Sequence, residues 1–391
     1  MEPLLPVYAR ADLAFERGEG ANLFDADGRR FLDFSSGIGV TALGHAHPHL
    51  VAALKAQAEK LWHTSNAVRI PEQERLGARL VAATFADTAF FTNSGTEAVE
   101  CAIKMARRYH SARGAPERYR IVTFSGAFHG RTLAAIAAGG DPKKIEGFGP
   151  KVDGFDSVPF ADRAALEDML TDAHGAILIE PVQGEGGIRQ VPEADLRYLR
   201  ELCDARGMLL ILDEVQCGVG RTGKFFAHEW AGVRPDILAA AKGLGGGFPV
   251  GVCLATEAAA SGMTAGSHGS TFGGNPLAMA VANAVLDIVL ADGFLDGVAE
   301  TGAALRERLE ELAARHHNAV EEVRGRGLML GLRVRGEARA LVSVLRRHGL
   351  LTVAASDNVV RLLPPLIIGR DEADQAVDIL DRVLAAPEGR A

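Results

Sequence analysis

From about residue 88 onward, short apolar runs alternate with longer stretches in which apolar residues recur at helical spacing. The runs are TAFFT at 88–92, RIVTF at 120–124, AILIE at 176–180, MLLIL at 208–212 and PVGVCLA at 249–255. Near-continuous hydrophobicity is typical of parallel strands that helices cover on both faces. The stretches 97–110 and 193–206 supply the helical spacing. The alternation predicts an α/β domain with a mostly parallel central sheet.

The two ends of the chain show a different pattern. LFDADGRRFLDF at 23–34 indicates a meander with Asp27-Gly28 as its turn, and helical and strand-like stretches follow residue 285. We therefore expect a smaller α+β domain built from both termini. The predicted boundaries are 1–49 for the N-terminal part of the small domain, 50–285 for the large ligand-binding domain and 286–391 for the C-terminal part of the small domain.

Charge and hydropathy exclude several classes of protein. The 391 residues include 42 Lys and Arg against 50 Asp and Glu, a net charge of −8 that gives the chain no general attraction for nucleic acid. No apolar stretch approaches the ~18 residues of a membrane span. The N-terminus carries Glu2 instead of the basic run of a secretory leader. We expect a cytoplasmic protein that acts on small molecules.

The four cysteines show no metal-binding or disulfide pattern. Cys101, Cys203, Cys217 and Cys253 form no CxxC pair and have no regular spacing. This distribution fits a reducing compartment.

Asn93-Ser94-Gly95-Thr96-Glu97 lies between a predicted strand and a predicted helix. A Ser/Gly/Thr turn at a helix N-terminus offers backbone N–H groups, hydroxyls and the positive end of the helix dipole to an anion such as phosphate. The alternative is a plain N-cap with Glu97 in the first turn. The position at the carboxyl end of a strand favours the anion site, because ligands of open α/β sheets bind there.

Two ionisable residues follow the later apolar runs. Asp213 comes directly after MLLIL, where a carboxylate needs a cationic partner unless it only caps the next turn. Lys242 is the one lysine of eight that follows an apolar run and precedes a glycine cluster. A desolvated lysine loses its proton more easily and can form a Schiff base, although a lysine that snorkels at the end of an element would look similar.

These three features together indicate a pyridoxal 5'-phosphate site. That cofactor needs an anchored phosphate, an anion beside its ring nitrogen and a lysine that captures its aldehyde.

A metal site is the competing hypothesis. His45, His47 and His49 alternate as metal ligands on a strand can, which would favour a metal-dependent hydrolase. Pro48 interrupts the strand, and no further ligands in a matching context follow. We therefore expect no metal.

Eight stretches carry a resemblance over essentially the whole chain. They are LDFSSGIGVTALGHAHP, FFTNSGTEAVECAIKMAR, FHGRT, IEPVQGEGG, ILDEVQCGVGRTG, PDILAAAKGLGGGFPVG, GSTFGGNP and RLLPPL. In this order they resemble the class III (ornithine-type) pyridoxal-phosphate aminotransferases, and within them the branch that uses acetylornithine. The resemblance implies the aspartate-aminotransferase-like fold type I.

The resemblance also implies roles for matching positions. Gly95 and Thr96 would contact the phosphate, and Phe128 would stack on the pyridine ring. Asp213 would pair with the ring nitrogen, Gln216 would reach the phenolic oxygen, and Lys242 would form the Schiff base. The implied cofactor-binding set also contains Glu214, Val215 and Thr271.

For the substrates, the resemblance implies that Arg131 holds the distal carboxylate, whereas the alternative for this residue is a surface ion pair. Arg361 would bind the α-carboxylate of glutamate, and Glu185 would mask that charge when an ω-amine binds. Ser270, near the substrate, and Thr271 would come from the neighbouring subunit, so a homodimer is implied.

The resulting prediction is transfer of the terminal amino group of N2-acetyl-L-ornithine to 2-oxoglutarate. The products would be N-acetyl-L-glutamate 5-semialdehyde and L-glutamate, a step of arginine biosynthesis. Ornithine, succinylornithine, succinyldiaminopimelate and 4-aminobutyrate remain open as donors, as does an aminomutase on the same scaffold.

Overall fold

The structure is a computed structural model, and it describes residues 3–386. Glu2, used above for the expectation about a leader, and residues 387–391 of the predicted C-terminal domain lie outside the described residues. The N-terminal part contains a meander and three helical elements. They are β1 (Phe15–Glu19), β2 (Asn22–Asp25), β3 (Arg30–Asp33), the short turn α1 (Ser36–Gly39), α2 (Pro48–Ala58) and α3 (Pro71–Ala83).

From Thr88 to Val289 strands and helices alternate. The elements are β4 (Thr88–Thr92), α4 (Gly95–Ala112), β5 (Arg120–Phe124), α5 (Leu133–Gly139), α6 (Pro142–Ile145), β6 (Phe155–Val158), α7 (Arg163–Met169), β7 (His174–Ile179), β8 (Val182–Gln183), β9 (Arg189–Gln190), α8 (Glu193–Arg206), β10 (Leu209–Asp213), β11 (Ile237–Ala240), β12 (Gly251–Ala255), α9 (Glu257–Ala260) and α10 (Pro276–Val289). Two 3-10 helices, Ala227–Ala231 and Lys242–Gly245, lie among them.

The C-terminal part is α+β. It contains α11 (Phe294–Arg315), β13 (Val320–Arg326), β14 (Met329–Val334), α12 (Ala338–Arg347), β15 (Leu350–Leu351), β16 (Val353–Ala355), β17 (Val359–Leu362) and α13 (Arg370–Ala385).

Seven strands form the central sheet in the order β4-β12-β11-β10-β7-β5-β6. All neighbours pair in parallel except β12, which runs antiparallel to both β11 and β4. The mostly parallel sheet is confirmed. The prediction that PVGVCLA forms a parallel strand is wrong, because burial on both faces makes a central strand continuously apolar whichever way it runs.

Helices cover both faces of this sheet. On one face α4 buries Cys101, Ala102 and Met105, which lie on its predicted apolar side. On the other face α8 buries Leu196 and Leu199 in the largest apolar cluster. The two-sided cover explains why the central strands β10, β11 and β12 contain no polar residue before Asp213 at the carboxyl end of β10.

The two ends of the chain meet in one sheet. β15 pairs in parallel with β3, Leu350 opposite Leu32, and extends the N-terminal meander to four strands. A second four-stranded sheet, β13-β14-β17-β16, shares an apolar cluster with α11 and α13. The boundaries 1–49, 50–285 and 286–391 stay a prediction.

Within residues 3–386 no single helix has the length and apolar composition of a membrane span. Only α10 and α11 taken together meet those criteria, and they are bent by 70° at the break between them. All four cysteines are buried and none forms a disulfide.

Candidate active site

The carboxyl ends of five parallel strands open on one cavity. β4, β5, β7, β10 and β11 point the same way, so the residues that follow them meet at one edge of the sheet. The cavity comprises about 350 Å³ of empty space, part of which is open to solvent. It is lined by Gly95, Thr96, Phe128, His129, Gly130, Glu180, Glu185, Asp213, Val215, Gln216 and Lys242.

The first turn of α4 forms one wall. The side chain of the N-cap Ser94 accepts a hydrogen bond from the Glu97 N–H at 3.3 Å, and the Glu97 carboxylate accepts from the Asn93 N–H at 2.7 Å. The capping alternative is therefore satisfied, yet it uses only one of the N–H groups of the first turn, and those groups have no intrahelical partners. The first turn of α4 can therefore be capped by Ser94 and still bind an anion through its remaining N–H groups.

Two glycines allow the close packing of this wall. A Cβ on Gly95 would lie 2.6 Å from Val215 Cγ1, and a Cβ on Gly130 would lie 2.0 Å from Thr96 Oγ1. Gly130 also has φ of +126°, which L side chains rarely adopt. Larger residues at either position would push α4 away from the loops that follow β5 and β10.

Asp213 has two partners. Its Oδ1 accepts from the Val215 N–H at 3.0 Å, and its Oδ2 lies 2.8 Å from His129 Nδ1. Burial opposes a charge on the imidazole, but the hydrogen bond and the charge of Asp213 outweigh it and raise the pKa of His129. Asp213 is recognisable in the sequence as a carboxylate at a strand end, but His129 is not recognisable as its partner, because it lies 84 positions earlier and comes close only in the folded chain.

Glu180 is a second buried carboxylate that sequence reasoning missed. Its oxygens accept from the Phe128 N–H at 2.8 Å and from the Gly184 N–H at 3.3 Å. Burial raises its pKa, and the nearby His129 counteracts part of this effect. Its signal was visible as the acidic residue that ends the run AILIE.

Lys242 starts a 3-10 turn directly beyond β11 with φ of +42°. A left-handed non-glycine residue is uncommon, and such strain concentrates at functional sites. Burial lowers the pKa of Lys242 to about 8, although Glu185 favours its charged form. Since β10 and β11 are neighbours with Asp213 opposite Ala239, Lys242 and Asp213 emerge side by side.

Glu185 and Arg361 form an ion pair at the cavity. Glu185 Oε1 accepts from Arg361 Nη1 at 2.7 Å, and Gln216 Oε1 accepts from the same nitrogen at 3.2 Å. The Arg361 side chain is 1% exposed and that of Glu185 is 31% exposed. The buried charge of Arg361 therefore needs these oxygens as hydrogen-bond partners, whereas the side chain of Glu185 can turn towards solvent.

Arg131 and Lys144 lie beside the ring of Phe128. The Arg131 guanidinium carbon is 5.6 Å and the Lys144 ammonium nitrogen 5.1 Å from the ring centroid. Lys144 pairs with Asp141 at 3.2 Å. Arg131 is exposed and forms no ion pair within residues 3–386, so the surface ion pair considered above is not formed there.

Four of the candidate residues, Glu214, Ser270, Thr271 and Arg361, do not themselves line the cavity. The Glu214 carboxylate turns away from it and accepts from the N–H groups of Ala227 and His228 and from His228 Nδ1. Ser270 Oγ accepts from Asn93 Nδ2 at 3.4 Å, and Thr271 is exposed on the same loop. Only Arg361 among the four reaches the cavity's lining, through Glu185 and Gln216.

The three alternating histidines face different partners. His45 Nε2 lies 2.8 Å from Asp33 Oδ2, and His49 Nε2 lies 2.9 Å from Asp287 Oδ2. His47 is the N-cap of α2. The described residues contain no group of three or more His, Cys, Asp or Glu side chains arranged to hold a metal.

Comparisons with known proteins give matches over almost the whole chain. The sequence profile of the family Aminotransferase class-III matches residues 7–384. An acetylornithine aminotransferase from Brucella melitensis is 62% identical over 377 residues, which cover 96% of this chain and 94% of the relative.

Two solved structures are also similar. N-acetylornithine aminotransferase from Stenotrophomonas maltophilia has a TM-score of 0.85 and 39% identity, and the match covers 97% of each chain. Ornithine aminotransferase from Toxoplasma gondii, with partial occupancy of pyridoxal phosphate at its active site, has a TM-score of 0.94 and 31% identity, covering 99% of this chain and 93% of that one.

Proposed function

The chain belongs to the class III aminotransferase family, and from this premise we propose that it transfers the terminal amino group of N2-acetyl-L-ornithine to 2-oxoglutarate. The products are N-acetyl-L-glutamate 5-semialdehyde and L-glutamate, and the cofactor is pyridoxal 5'-phosphate. The high identity to acetylornithine aminotransferases supports the choice of donor, and the cavity supports the chemistry.

The residues present fit the cofactor. The first turn of α4, with Gly95 and Thr96, offers N–H groups and a hydroxyl to a phosphate in a cradle that a Cβ on Gly95 or Gly130 would fill. Asp213 offers a buried carboxylate to the ring nitrogen, and Lys242 offers an amine to the aldehyde. Bound pyridoxal phosphate supplies an electron sink for the pair released when a substrate C–H bond breaks.

Lys242 has two tasks. With a pKa of about 8 a useful fraction of its side chain is a neutral amine near pH 7, and only the neutral amine attacks a carbonyl carbon. When the cofactor is bound and a substrate amine has freed the lysine, the same Nζ would lie where it can hold and move a proton, first as base and then as acid.

Asp213 would stabilise a positive charge on the ring nitrogen of the cofactor, and His129 orients that carboxylate. The hydrogen bond at 2.8 Å fixes one carboxylate oxygen, and the Val215 N–H fixes the other. A preorganised charge of this kind stabilises the reacting state without reorganisation during the reaction.

The cations around the cavity favour a donor with one carboxylate far from its reacting amine. With Arg361 masked by Glu185, Arg131 is the exposed guanidinium that remains to hold this carboxylate. The α-ammonium of ornithine would then lie near both Arg131 and Lys144 and be repelled. Acetylation replaces that ammonium by a neutral amide, and this arrangement is the observation that carries the choice of acetylornithine.

The acceptor half-reaction needs the masked cation. 2-Oxoglutarate and glutamate carry carboxylates at both ends, so Arg131 binds the distal one and Arg361 the α-carboxylate. Glu185 turns away from Arg361 to admit it, which its 31% exposure allows without disturbing the core.

A homodimer completes the site in this proposal. Ser270 and Thr271 lie on a loop that Asn66 joins to the segment between α2 and α3. The large exposed apolar residues of the loop and of that segment are Leu61, Trp62, Val68 and Phe272. Exposed apolar residues concentrated on one face are typical of subunit interfaces. A second subunit would cover them and receive Thr271 at its phosphate.

Mixing two inactive variants tests the shared site. Lys242→Ala subunits are mixed with subunits that carry a bulky replacement of Thr271, under conditions of subunit exchange. We expect activity to return, because one of the two sites in each hybrid dimer then contains only intact parts. No return of activity after exchange would contradict the shared site.

A comparative assay tests the donor. Acetylornithine, ornithine, succinyldiaminopimelate and 4-aminobutyrate are each paired with 2-oxoglutarate, and kcat/KM is measured for each. Acetylornithine is expected to exceed ornithine by at least about ten-fold, which corresponds to ~1.4 kcal/mol of charge repulsion. A preference for another donor would contradict the proposal, and an amino group retained on the product would indicate an aminomutase.

A further inference from the structure

We propose that Asn66 is a positioning residue that presets the loop of residues 264–275 so that Thr271 is presented to the neighbouring subunit. The inference rests on the shared site of the proposed function. It concerns a residue between α2 and α3, far in sequence from the loop that it holds and outside every motif used above.

The side-chain amide of Asn66 joins three segments of the chain. Its Nδ2 donates to the carbonyl oxygen of Ser270 at 3.1 Å and to that of Gly273 at 2.9 Å. Its Oδ1 accepts from Gln73 Nε2 at 2.8 Å. The two carbonyl groups flank Thr271 and Phe272, so one amide clamps both sides of the tip of the loop.

Inside the clamp the loop closes on itself and on β4. Ser270 Oγ accepts from the Gly273 N–H at 2.9 Å and from Asn93 Nδ2 at 3.4 Å. Asn93 precedes α4, so the loop tip is tied to the same turn that forms the anion-binding wall. The position of Thr271 is therefore coupled to the phosphate cradle of its own subunit as well.

Two glycines show that the fit is tight. A Cβ on Gly273 would lie 2.3 Å from the Phe91 carbonyl oxygen, and a Cβ on Gly274, whose φ is +82°, would lie 1.8 Å from Gln73 Nε2. Gln73 thus contacts the loop backbone and orients Asn66 at the same time. A loop packed this closely has a defined shape before any partner arrives.

The segment that contains Asn66 and the loop of residues 264–275 belong to the same exposed surface. The rings of His63 and Phe272 are 5.2 Å apart, and the side chains of Trp62 and Phe272 are 64% and 60% exposed. Water competes for hydrogen bonds at such a surface in a single subunit, but covering the surface removes that water and strengthens them. The clamp is then most effective in the dimer, where Thr271 is used.

The test measures cofactor binding and assembly together with turnover. Apoprotein is titrated with pyridoxal phosphate for Asn66→Ala, Asn66→Asp, Thr271→Ala and the double variant Asn66→Ala with Thr271→Ala. Sedimentation reports the oligomeric state. Arg69→Ala is the matched control, because Arg69 lies in the same segment and, among residues 3–386, pairs only with Glu74 on the surface.

We expect Asn66→Ala to raise the Kd for pyridoxal phosphate about ten-fold and Asn66→Asp to raise it more, because a carboxylate would face two carbonyl oxygens. The kcat at saturating cofactor should change little. The double variant should bind no more weakly than Thr271→Ala alone, since interactions that act through one residue are not additive. Arg69→Ala should bind like the unmodified protein.

Two results would overturn the inference. One is additive losses in the double variant, which would mean that Asn66 does not act through Thr271. The other is loss of the dimer in Asn66→Ala but not in Thr271→Ala, which would make Asn66 a residue of assembly. An unchanged Kd in Thr271→Ala itself would instead contradict the shared site of the proposed function.

Discussion

Asp213 and Lys242 lie at the ends of neighbouring strands, whereas Glu185 and Arg361 are 176 residues apart and come from a loop beyond β7 and from β17. Backbone hydrogen bonds of the central sheet determine the first arrangement. In the second, the backbone of Glu185 is held by the Ser356 N–H, which donates to its carbonyl oxygen at 3.0 Å, but the two side chains meet through one ion pair on the rim of the cavity. The cofactor half of the cavity is thus rigid by construction, and the substrate half can change its charge when Glu185 turns.

The largest effect is expected at Lys242, because the contrast between the two halves fails if another lysine can replace it. Lys242→Ala is expected to reduce turnover more than about a thousand-fold while the fold survives, because the variant loses both the amine that binds the cofactor and the acid–base group. Borohydride reduction of the loaded protein followed by peptide mapping should label Lys242. A label on Lys104 or Lys224 would contradict the assignment.

Asp213→Asn tests whether the charge of the rigid half matters beyond its shape. The amide keeps the volume but cannot hold a positive charge at the ring nitrogen, so kcat should fall about a hundred- to a thousand-fold. The Kd for the cofactor should rise much less, since the phosphate contacts persist. A near-normal kcat would show that Asp213 only caps the turn at Val215.

Glu185→Gln addresses the adjustable half. Without the carboxylate, Arg361 stays available, so glutamate keeps an open anchor while acetylornithine meets an unmasked cation. The ratio of the two half-reactions should shift towards glutamate about ten- to a hundred-fold, or roughly 1–3 kcal/mol. Single-turnover absorbance changes measure each half-reaction separately, and equal effects on both would refute the switch.

The pH dependence of cofactor uptake sharpens the description of the rigid half. Because the pKa of Lys242 is lowered to about 8, the neutral fraction rises about ten-fold between pH 7 and pH 9 and then levels off. The rate at which apoprotein captures pyridoxal phosphate should rise by the same factor. A peptide with an Nα-acetylated lysine, whose ε-amine has an ordinary pKa, is measured in parallel to correct for ionisation of the cofactor. A capture rate that still rises steeply above pH 9 would contradict the lowered pKa of Lys242.

Local patterns predicted the parts of the protein that local forces determine. The strand TAFFT and the helix that follows it, with its capped first turn, are visible in consecutive residues, as are Asp213 and Lys242 at the strand ends. The direction of β12 was not visible, because burial leaves the same apolar pattern in both directions.

Long-range contacts set the remaining parts of the site. His129 meets Asp213 across 84 residues, and Asn66 meets Ser270 across 204. Nothing in the residues around His129 or Asn66 indicates these partners, since each contact depends on how several elements pack. The roles of Glu185 and Arg361 came from resemblance for the same reason.

The contact between Gly95 and Val215 has a consequence for redesign. A Cβ on Gly95 would come within 2.6 Å of a methyl group of Val215, so a side chain at position 95 requires a smaller residue at position 215. Variation at these two sites is therefore expected to be epistatic, with single changes failing where paired changes succeed. A mutant library aimed at new amino donors should hold this pair constant and vary the mouth of the cavity around Arg131 and Lys144.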